Sequence, residues 1–382
     1  MEKINRNLTE LDLWDKITEI VEKYGFFLIG FISLQDDPEF HFFKKWIEEG
    51  RHASMRYLER YQKFRQSPYQ LESGLKSALI LGLSYGSREK IPRIGDHPRI
   101  AQYARYQDYH KVFWRYGAMV LNKIHQLVGE ENATGRVFCD SAPLLERSLA
   151  IQSGGVFRGK NTCAISPKYG SMFFLGELFT SVAFPKWGED KFFPETSAVK
   201  KSCGSCRRCQ VYCPTGALDQ DYRIDARKCI AYWTIENRET IPEIYWEPVS
   251  RYIFGCDICQ LVCPFNRKTA EFNAVLPDRL LPLKSRQLPN DIFLISTMDQ
   301  QRYETWFGGT PLTRAKREGL VRNALIALRI TDPPSFLKAA EHWDAIEGVH
   351  PVIAATIKQG RSSSFLLGFD KKGGLADQAP SE

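Results

Sequence analysis

The sequence lacks the features that would mark a secreted or membrane-spanning chain. Its first residues, MEKINRNLTELDLWDK, are polar and include acidic side chains, which is not the pattern of a secretory signal. It contains no run of about 18 apolar residues, and the most apolar stretch, between Met172 and Phe184, is interrupted by Glu177. We therefore expect a cytoplasmic protein without a membrane-spanning helix.

Two common nucleotide-binding motifs are also missing. There is no G-x-G-x-x-G after an apolar strand pattern and no G-x-x-x-x-G-K-[ST]. The segment DYHKVF, residues 108–113, partly matches the D-x-H-x-x-G loop by which some cobalamin proteins supply an axial histidine, but Phe113 stands where that loop has glycine. We therefore expect no histidine-ligated corrinoid, and His110 either lines a site or packs on a helix.

The charge balance is basic. The 382 residues carry a formal net charge of +7, and 43% of them are hydrophobic and 25% charged. This composition is typical of a folded chain with more than one domain. A positive chain favours polyanionic partners, of which nucleic acid is one.

Cysteine is abundant and clustered. Eight of the ten cysteines lie between residues 203 and 263. Thiols clustered in this way in a reducing compartment indicate metal ligands rather than disulfides. Cys139 and Cys163 stand apart from the cluster, and we expect each to be a buried, small apolar side chain.

The cysteine spacing predicts two four-iron clusters. CGSCRRCQVYCP, residues 203–214, has the ferredoxin spacing, in which the fourth cysteine serves the other cluster. GCDICQLVCPFN repeats the pattern, but Ile253 stands at its first cysteine position, so Cys229 is the expected replacement. A pair of zinc sites is the alternative, although zinc needs neither the triple spacing nor the trailing prolines. The predicted ligand sets are Cys203, Cys206, Cys209 and Cys263 for one cluster, and Cys213, Cys229, Cys256 and Cys259 for the other.

Hydrophobic periodicity predicts a mixed α/β or α+β region over roughly the first 185 residues. Residues 9–25 have helical spacing and end at Gly25. FFLIGFISL and ALILGLSYG predict buried strands, and residues 108–129 predict a long helix. AISPKYGSMFFLGELFTSVAF predicts one or two further strands.

A carboxylate stands at the end of another predicted strand. TGRVFC is followed directly by Asp140, and Pro143 opens the helical pattern PLLERSLAIQSG. A carboxylate at the end of a core strand is often catalytic, but Asp140 suits equally well the N-cap of that helix. Spacing alone leaves both interpretations open.

The remainder of the chain has a helical part between two irregular ones. Residues 311–359 have helical spacing, and their short paired helices indicate a HEAT-like repeat. Residues 185–200 predict a linker, and residues 361–382 a flexible tail. Four basic residues of the helical part either contact phosphates or cover a solvated face; they are Arg314, Lys316, Arg317 and Arg322.

These patterns together resemble the epoxyqueuosine reductases, cobalamin-dependent iron–sulfur enzymes that complete queuosine in tRNA. The displaced Cys229 is more specific to this family than the ferredoxin spacing is. The sequence departs from the family at SGGVFRGKN, residues 153–161, and at Ala101, where some relatives carry cysteine. The similar stretches are YARYQDYHKV, DSAPLLERSLA, GKNTCAISPKYGSMFFLGE, CGSCRRCQVYCPTGALD, IDARKCIAYWTIE, YIFGCDICQLVCPFN and GTPLTRAKREGLVRNALIAL.

The resemblance implies a multidomain α+β fold. Its parts would be a nitroreductase-like cobalamin-binding domain over 1–185, a ferredoxin-like domain with two 4Fe-4S clusters over 186–270, and a HEAT-like helical domain over 271–360. The implied cofactors are cobalamin and the two clusters. The implied partners are tRNA, through its anticodon stem-loop, and an electron donor of unknown identity, and the chain is expected to be a monomer.

The implied reaction is reduction of epoxyqueuosine to queuosine at the tRNA wobble position. Asp140 matches the family's proton donor, a role that its carboxyl can fill if burial raises its pKa. The resemblance also implies a set of residues that contact the corrinoid: Arg65, Asp140, Ala164, Leu175 and Thr234.

Other functions fit parts of the pattern. A plain electron-transfer protein would carry the clusters without a corrinoid and would not need Asp140. A different corrinoid-dependent reductase would be indifferent to tRNA, and a nucleic-acid-binding module would bind tRNA without turnover. The length of the resemblance favours the reductase.

Overall fold

The structure, a computed structural model, describes residues 10–85, 98–130, 132–184, 202–267 and 291–363. The predicted linker at 185–200 and most of the predicted tail lie outside these ranges. In the described residues, no helix is long and apolar enough to cross a membrane.

The chain folds as two compact units, each assembled from non-consecutive segments. Because the cluster region contributes to both units, the division into consecutive domains stays a prediction. Unit 1 combines Met1–Arg88, Tyr106–Ala226 and Ile258–Pro282, and unit 2 combines Glu89–Arg105, Arg227–Asp257 and Leu283–Glu382.

A four-stranded antiparallel sheet forms the centre of unit 1, in the order β1-β2-β7-β4. Its strands are β1 (Phe27–Ser33), β2 (Ser77–Ser84), β7 (Phe173–Thr180) and β4 (Gly135–Phe138). The two middle strands are almost wholly buried, as expected of continuous apolar runs. The predicted mixed architecture and these strands are confirmed.

Helices and short strands complete unit 1. Glycine ends the first helix as predicted, because Gly25 has a φ of +82°. These elements are α1 (Glu10–Lys23), α2 (Phe40–Glu48), α3 (Gln62–Gln66), α4 (Tyr109–Val112), α5 (Ala118–Leu127), α6 (Glu146–Gln152), β5 (Phe157–Arg158), β6 (Ala164–Ile165), α7 (Arg208–Val211), α9 (Ile258–Leu261) and α10 (Pro264–Arg267).

The helix predicted over 108–129 is interrupted by one π-helical turn, Phe113–Gly117, between α4 and α5. Asp108 is the N-cap of α4, and its carboxylate accepts from the His110 backbone N–H. Phe113 is fully buried against Gly176 of β7, where a Cβ atom would lie 2.2 Å from the Phe113 ring. Phe113 therefore serves the core, which explains the departure from the D-x-H-x-x-G loop.

Unit 2 is mainly helical and contains a two-stranded parallel sheet. The longest helix, α13, is buried along most of its length, and the other helices pack around it. The helical pattern predicted over 311–359 is confirmed. The elements are β3 (Arg99–Ile100), α8 (Trp246–Ser250), β8 (Tyr252–Phe254), α11 (Ile292–Ser296), α12 (Gln300–Phe307), α13 (Lys316–Thr331), α14 (Pro333–Asp344) and α15 (Pro351–Ser362).

The contact between β1 and β2 depends on the absence of a side chain at Gly82. A Cβ atom there would lie 2.1 Å from Cζ of Phe27. We expect Gly82→Ala to destabilise unit 1 by about 1–3 kcal/mol, because the ring has to shift within a packed core. Thermal unfolding measures this loss, and Phe27→Leu in the same chain should restore part of it. An unchanged unfolding temperature for Gly82→Ala would contradict the packing described.

Candidate active site and cluster-binding site

Four predicted ligands of the first cluster line one cavity in unit 1. Its thiols come from the turn around α7 and from the residue before α10. In the described part of the chain, no three His, Cys, Asp or Glu side chains are arranged to hold a single metal ion. Thiols that surround a space suit a polynuclear cluster, and the donor set fits a 4Fe-4S group. The lining residues are Cys203, Cys206, Cys209 and Cys263 with Lys160, Asn161, Ile165, Arg208, Pro264 and Phe265.

Two cavity residues were not predicted as functional. The Lys160 backbone N–H donates to Sγ of Cys203 at 3.3 Å, and the Asn161 side chain donates to the carbonyl of Cys259 at 3.2 Å. Hydrogen bonds to ligand sulfur tune the potential of such clusters. Both residues belong to the GKN of the 153–161 stretch, at which the sequence departs from the family.

Burial disfavours ionisation of the cavity thiols. Burial, together with neighbouring cysteines, raises the pKa of Cys209 to about 11. Burial also raises the pKa of Cys203 and of Cys263. A positively charged iron–sulfur core would supply the compensating charge that the thiolates need.

The four cysteines of the second predicted set are divided between the units. Cys213 and Cys259 belong to unit 1, and Cys229 and Cys256 to unit 2. Within unit 2, the hydroxyl of Thr234 accepts from the Gly255 backbone N–H at 3.0 Å, which joins the segments that follow Cys229 and precede Cys256. The ligation of a second cluster by this set stays a prediction.

The two isolated cysteines differ from each other. Cys139 is fully buried, and its Sγ donates to the Leu175 carbonyl at 3.1 Å, as expected of a small core residue. Cys163 is only partly buried and packs beside Cys203 and Cys263. The expectation of burial is therefore wrong for Cys163, which is half-buried.

Asp140 lies just beyond β4 at the end of the central sheet. Its φ of +57° is left-handed, a conformation that asparagine and aspartate tolerate better than most residues. The following helix, α6, begins only at Glu146 and has Leu145 as its N-cap. The N-cap interpretation of Asp140 is therefore wrong, and the catalytic one remains.

Asp140 is held by two aromatic neighbours from α4. The Tyr109 hydroxyl donates to Oδ2 of Asp140 at 2.7 Å, and the Tyr109 ring stacks on Phe174 of β7. Nε2 of His110 lies 3.7 Å from the same oxygen. His110 therefore lines the site, and Tyr109 is a neighbour that sequence reasoning missed.

The Asp140 side chain is 64% exposed. In the chain alone this carboxyl is therefore not buried, as a raised pKa would require, since its strand ends at the rim of the sheet. The neighbouring imidazole of His110 has a raised pKa. Burial opposes ionisation of that imidazole, but hydrogen bonds with Asp108 and Asp140 outweigh it and raise the pKa of His110 to about 9.

Two glutamates lie beside the Asp140 backbone. Glu146 accepts a hydrogen bond from the Asp140 backbone N–H. Glu177, in the middle of β7, is fully buried. Burial and the negative charge of Asp140 raise the pKa of Glu146 to about 8, and burial raises the pKa of Glu177 well above its usual value.

The structure brings three of the five predicted corrinoid contacts together. Cys139, the residue before Asp140, donates to the Leu175 carbonyl, and Ala164 of β6 belongs to the same apolar cluster as Leu175. Leu175 is partly exposed, whereas Ala164 is buried. Asp140 and Leu175 form a wall, one polar and one apolar side chain, that fits the face of a corrinoid ring.

The other two predicted contacts are enclosed by protein. Arg65 is buried, donates to the Arg60 carbonyl at 2.5 Å and stacks over the Phe43 ring. Thr234 of unit 2 is fully buried, and its hydroxyl donates to the Ile230 carbonyl at 2.8 Å. Their contact with a cofactor stays a prediction from the resemblance alone.

Arg322 is not a surface residue. It is fully buried and donates to the carbonyls of Trp233, Asn237 and Glu239 at 2.7–2.9 Å. Both interpretations offered for it, phosphate contact and a solvated face, are therefore wrong. Its neighbour Asn323 donates to the carbonyls of Thr234 and Ile253, so the two side chains fix the backbone of this region.

Three basic residues remain at or near the surface of unit 2. Arg314 pairs with Glu236 through two contacts of 3.0 Å, and Arg317 pairs with Glu318 at 3.1 Å. Lys316 is exposed. A role in phosphate binding stays a prediction for these three.

Two protein families match parts of the chain. A 4Fe-4S double cluster binding domain matches residues 202–266, and "Epoxyqueuosine reductase QueG, DUF1730" matches residues 65–141, which include Arg65 and Asp140. The curated epoxyqueuosine reductase of Xanthomonas campestris pv. campestris is 32% identical over 318 residues, 82% of this chain and 85% of the relative. That of Cyclobacterium marinum is 33% identical over 319 residues, 81% of this chain and 96% of the relative.

A solved structure has the same fold. The crystal structure of an epoxyqueuosine reductase with a tRNA-Tyr epoxyqueuosine-modified stem loop matches with a TM-score of 0.74 and 22% identity, over 92% of this chain and 90% of that one. The matches define an oxidoreductase with a double 4Fe-4S domain. The chain belongs to the epoxyqueuosine reductase family.

Removal of one cavity thiol tests the first ligand set. We expect Cys263→Ala to lower the iron content of the reconstituted chain from about eight to about four atoms, because one four-iron cluster is lost. Iron and sulfide analysis measures this change. Cys163→Ala, which removes a neighbouring thiol outside the set, is the control and should keep the full content. Full iron content in Cys263→Ala would remove this residue from the set.

His110 should make stability depend on pH. Because its pKa is raised from 6.5 to about 9, its contribution is fully present below pH 6.5 and is lost as the pH rises through 9. We expect His110→Phe to lower the unfolding temperature at about pH 6 and to have much less effect at about pH 10. His41→Gln, at an exposed position, is the control. Equal destabilisation at both pH values would contradict the charged contact.

Proposed function

We propose that the chain reduces epoxyqueuosine to queuosine at the tRNA wobble position, with Asp140 as the proton donor, two 4Fe-4S clusters and cobalamin. The observation that carries the proposal is the placement of Asp140 at the rim of the sheet, where Tyr109 and His110 contact its carboxyl group. Family membership supplies the substrate class.

The balance of the reaction defines what each group contributes. Conversion of an epoxide to an alkene takes two electrons and two protons, and the oxygen leaves as water. Iron–sulfur clusters deliver electrons singly, through the thiolate-held centres of the ferredoxin-like region. Bound cobalamin would supply a strongly reducing cobalt centre that the protein side chains lack.

The side chains around Asp140 are suited to proton supply. A carboxylic acid directed at the epoxide oxygen turns a poor alkoxide leaving group into a hydroxyl. The exposure of Asp140 leaves it open to a bound substrate, and covering by substrate and cofactor would exclude water from it. His110, which carries a proton below pH 9, lies next to it and can restore the proton that Asp140 gives away.

The corrinoid would lie against the wall formed by Asp140 and Leu175. Leu175 offers partly exposed apolar surface, and Ala164 packs in the same cluster. Nε2 of His110 lies 3.7 Å from Oδ2 of Asp140, so this nitrogen would support the acid rather than ligate cobalt.

The net charge of +7 favours an RNA partner. The solved relative was crystallised with an epoxyqueuosine-modified tRNA stem loop. By analogy, we propose that an anticodon stem-loop binds here with its modified base turned out of the stack toward Asp140.

Asp140→Asn tests the proton donor. Asparagine tolerates the left-handed backbone and can still accept from Tyr109, so the fold should be preserved. We expect the rate to fall by about 10²-fold or more, because the amide cannot donate as an acid. The assay is turnover of an epoxyqueuosine stem-loop by the anaerobically reconstituted enzyme, followed by mass spectrometry of the nucleoside.

Glu72→Gln is the matched control for this assay. Glu72 is a surface carboxylate that pairs with Arg136 at 3.4 Å, and its loss should leave turnover unchanged. An Asp140→Asn enzyme that works at the rate of the unmodified chain would exclude Asp140 as the acid. Retained cobalamin without any turnover, in the unmodified chain, would point to a different corrinoid-dependent reaction.

A further inference from the structure

Glu177 is a carboxyl group in the core of the sheet without an ordinary partner. It is 0% exposed and pairs in register with Ile80 of β2 and Phe138 of β4. In the described part of the chain, no N–H or hydroxyl group donates a well-formed hydrogen bond to either of its side-chain oxygens. The group within hydrogen-bonding reach is the carboxyl of Glu146. A lone buried carboxylate would be costly, so the Glu146 contact must account for it.

Glu177 lies in the low-dielectric core and Glu146 is half-buried beside it, so the two adjacent carboxyl groups are not both ionised at neutral pH. A single proton shared between them makes one group a donor and the other an acceptor, which satisfies Glu177. The pair then carries one negative charge and titrates as a unit. The raised pKa values of both residues agree with this arrangement.

The pair also contacts the backbone of the proposed acid. Glu146 accepts from the Asp140 N–H, while Tyr109 donates to the Asp140 carboxyl at 2.7 Å. The left-handed φ of +57° at Asp140 is a conformation that surrounding contacts must maintain. Glu146 therefore fixes the backbone of Asp140 through this hydrogen bond, and Glu177 in turn fixes the side chain of Glu146.

We propose that Glu146 and Glu177 form a proton-sharing pair that positions Asp140 for catalysis by fixing the turn between β4 and α6, residues 139–145. Glu146 and Glu177 are positioning residues, because they act on the Asp140 backbone rather than on reacting atoms. The proposal rests on the proposed role of Asp140 as the acid. It explains why an acidic residue is kept in the middle of a core strand.

The surroundings of the pair define its response to pH. The titratable and charged groups that face it are Asp108, His110, Cys139, Asp140 and Arg147. Since the folded chain keeps the shared proton well above 4.5, folding becomes less favourable as the pH rises from 4.5 toward about 8. Loss of the proton would leave two like charges in contact and weaken the hold on the turn.

Amide and alanine variants separate the contributions of the pair. Glu146→Gln keeps an oxygen for the Asp140 N–H and gains an amide N–H for Glu177. Glu177→Gln keeps the contact and the single negative charge but removes the shared proton. Glu146→Ala removes the acceptor, and Glu72→Ala at the surface is the matched control.

The first readout is hydrogen–deuterium exchange of the full chain at peptides covering residues 139–145, which requires no activity. We expect Glu146→Ala to speed exchange there by roughly tenfold, the equivalent of one lost hydrogen bond. Glu146→Gln should stay within about threefold of the unmodified chain. Above about pH 8, the unmodified chain should lose protection in this turn faster than intrinsic exchange predicts, and Glu177→Gln should not.

The second readout is turnover by the reconstituted enzyme. Glu146→Ala should lower kcat roughly tenfold with KM within about twofold, since substrate contacts remain. If hydrogen–deuterium exchange of residues 139–145 is the same as in the unmodified chain at every pH, in both Glu146→Ala and Glu177→Gln, the pair does not fix this turn. Faster exchange with unchanged kcat, alongside an inactive Asp140→Asn, would overturn its role in catalysis.

These outcomes are distinguishable from failure of the proposed function. If Asp140→Asn is fully active while Glu146→Ala loses protection, the acid has been assigned wrongly but the pair still fixes the turn. If Asp140→Asn is inactive and Glu146→Gln rescues the defects of Glu146→Ala in both exchange and kcat, both proposals are supported.

Discussion

The antiparallel pairing of β4 with β7 is the constraint on which the site depends. It aligns Phe138 with Glu177, so that the chain leaves the sheet two residues before Asp140. The position of Asp140 relative to Glu177 follows from this register, since a shift of one residue would turn the side chains of β4 to the opposite face of the sheet. The same pairing thus leaves Glu177 as a buried carboxyl group near the strand end and Asp140 as an exposed one beyond it.

The central sheet is buried, whereas the side chains that would bind ligands lie at its end or around the cluster cavity. The core strands bury their apolar side chains on both faces, while the acid and the cavity thiols lie at strand and turn ends, where ligands can reach them. Lys160 contributes a backbone N–H to Cys203, so the fold supplies a hydrogen bond to ligand sulfur as well as the sulfur itself. The same chain therefore combines a cluster-binding region with an exposed carboxyl group at the end of the central sheet.

Sequence patterns predicted the elements that depend on local composition, and missed those that depend on tertiary neighbours. Apolar runs located β1, β2 and β7, and thiol spacing grouped Cys203, Cys206, Cys209 and Cys263 around one cavity. Arg322 was placed on the surface because a helical pattern does not reveal carbonyl groups arriving from another segment. Glu177 was noted only as a break in an apolar run, since its partner Glu146 lies 31 residues away on α6.

We propose that this chain uses electrons from its iron–sulfur clusters to remove an epoxide oxygen through a bound corrinoid. The most direct measurement is a single-turnover experiment on the cluster-loaded, chemically reduced enzyme with an epoxyqueuosine stem-loop, with and without added cobalamin. The account predicts loss of one oxygen atom from the nucleoside only when cobalamin is present. Loss of oxygen without cobalamin, or none with cobalamin bound and the clusters reduced, would contradict it.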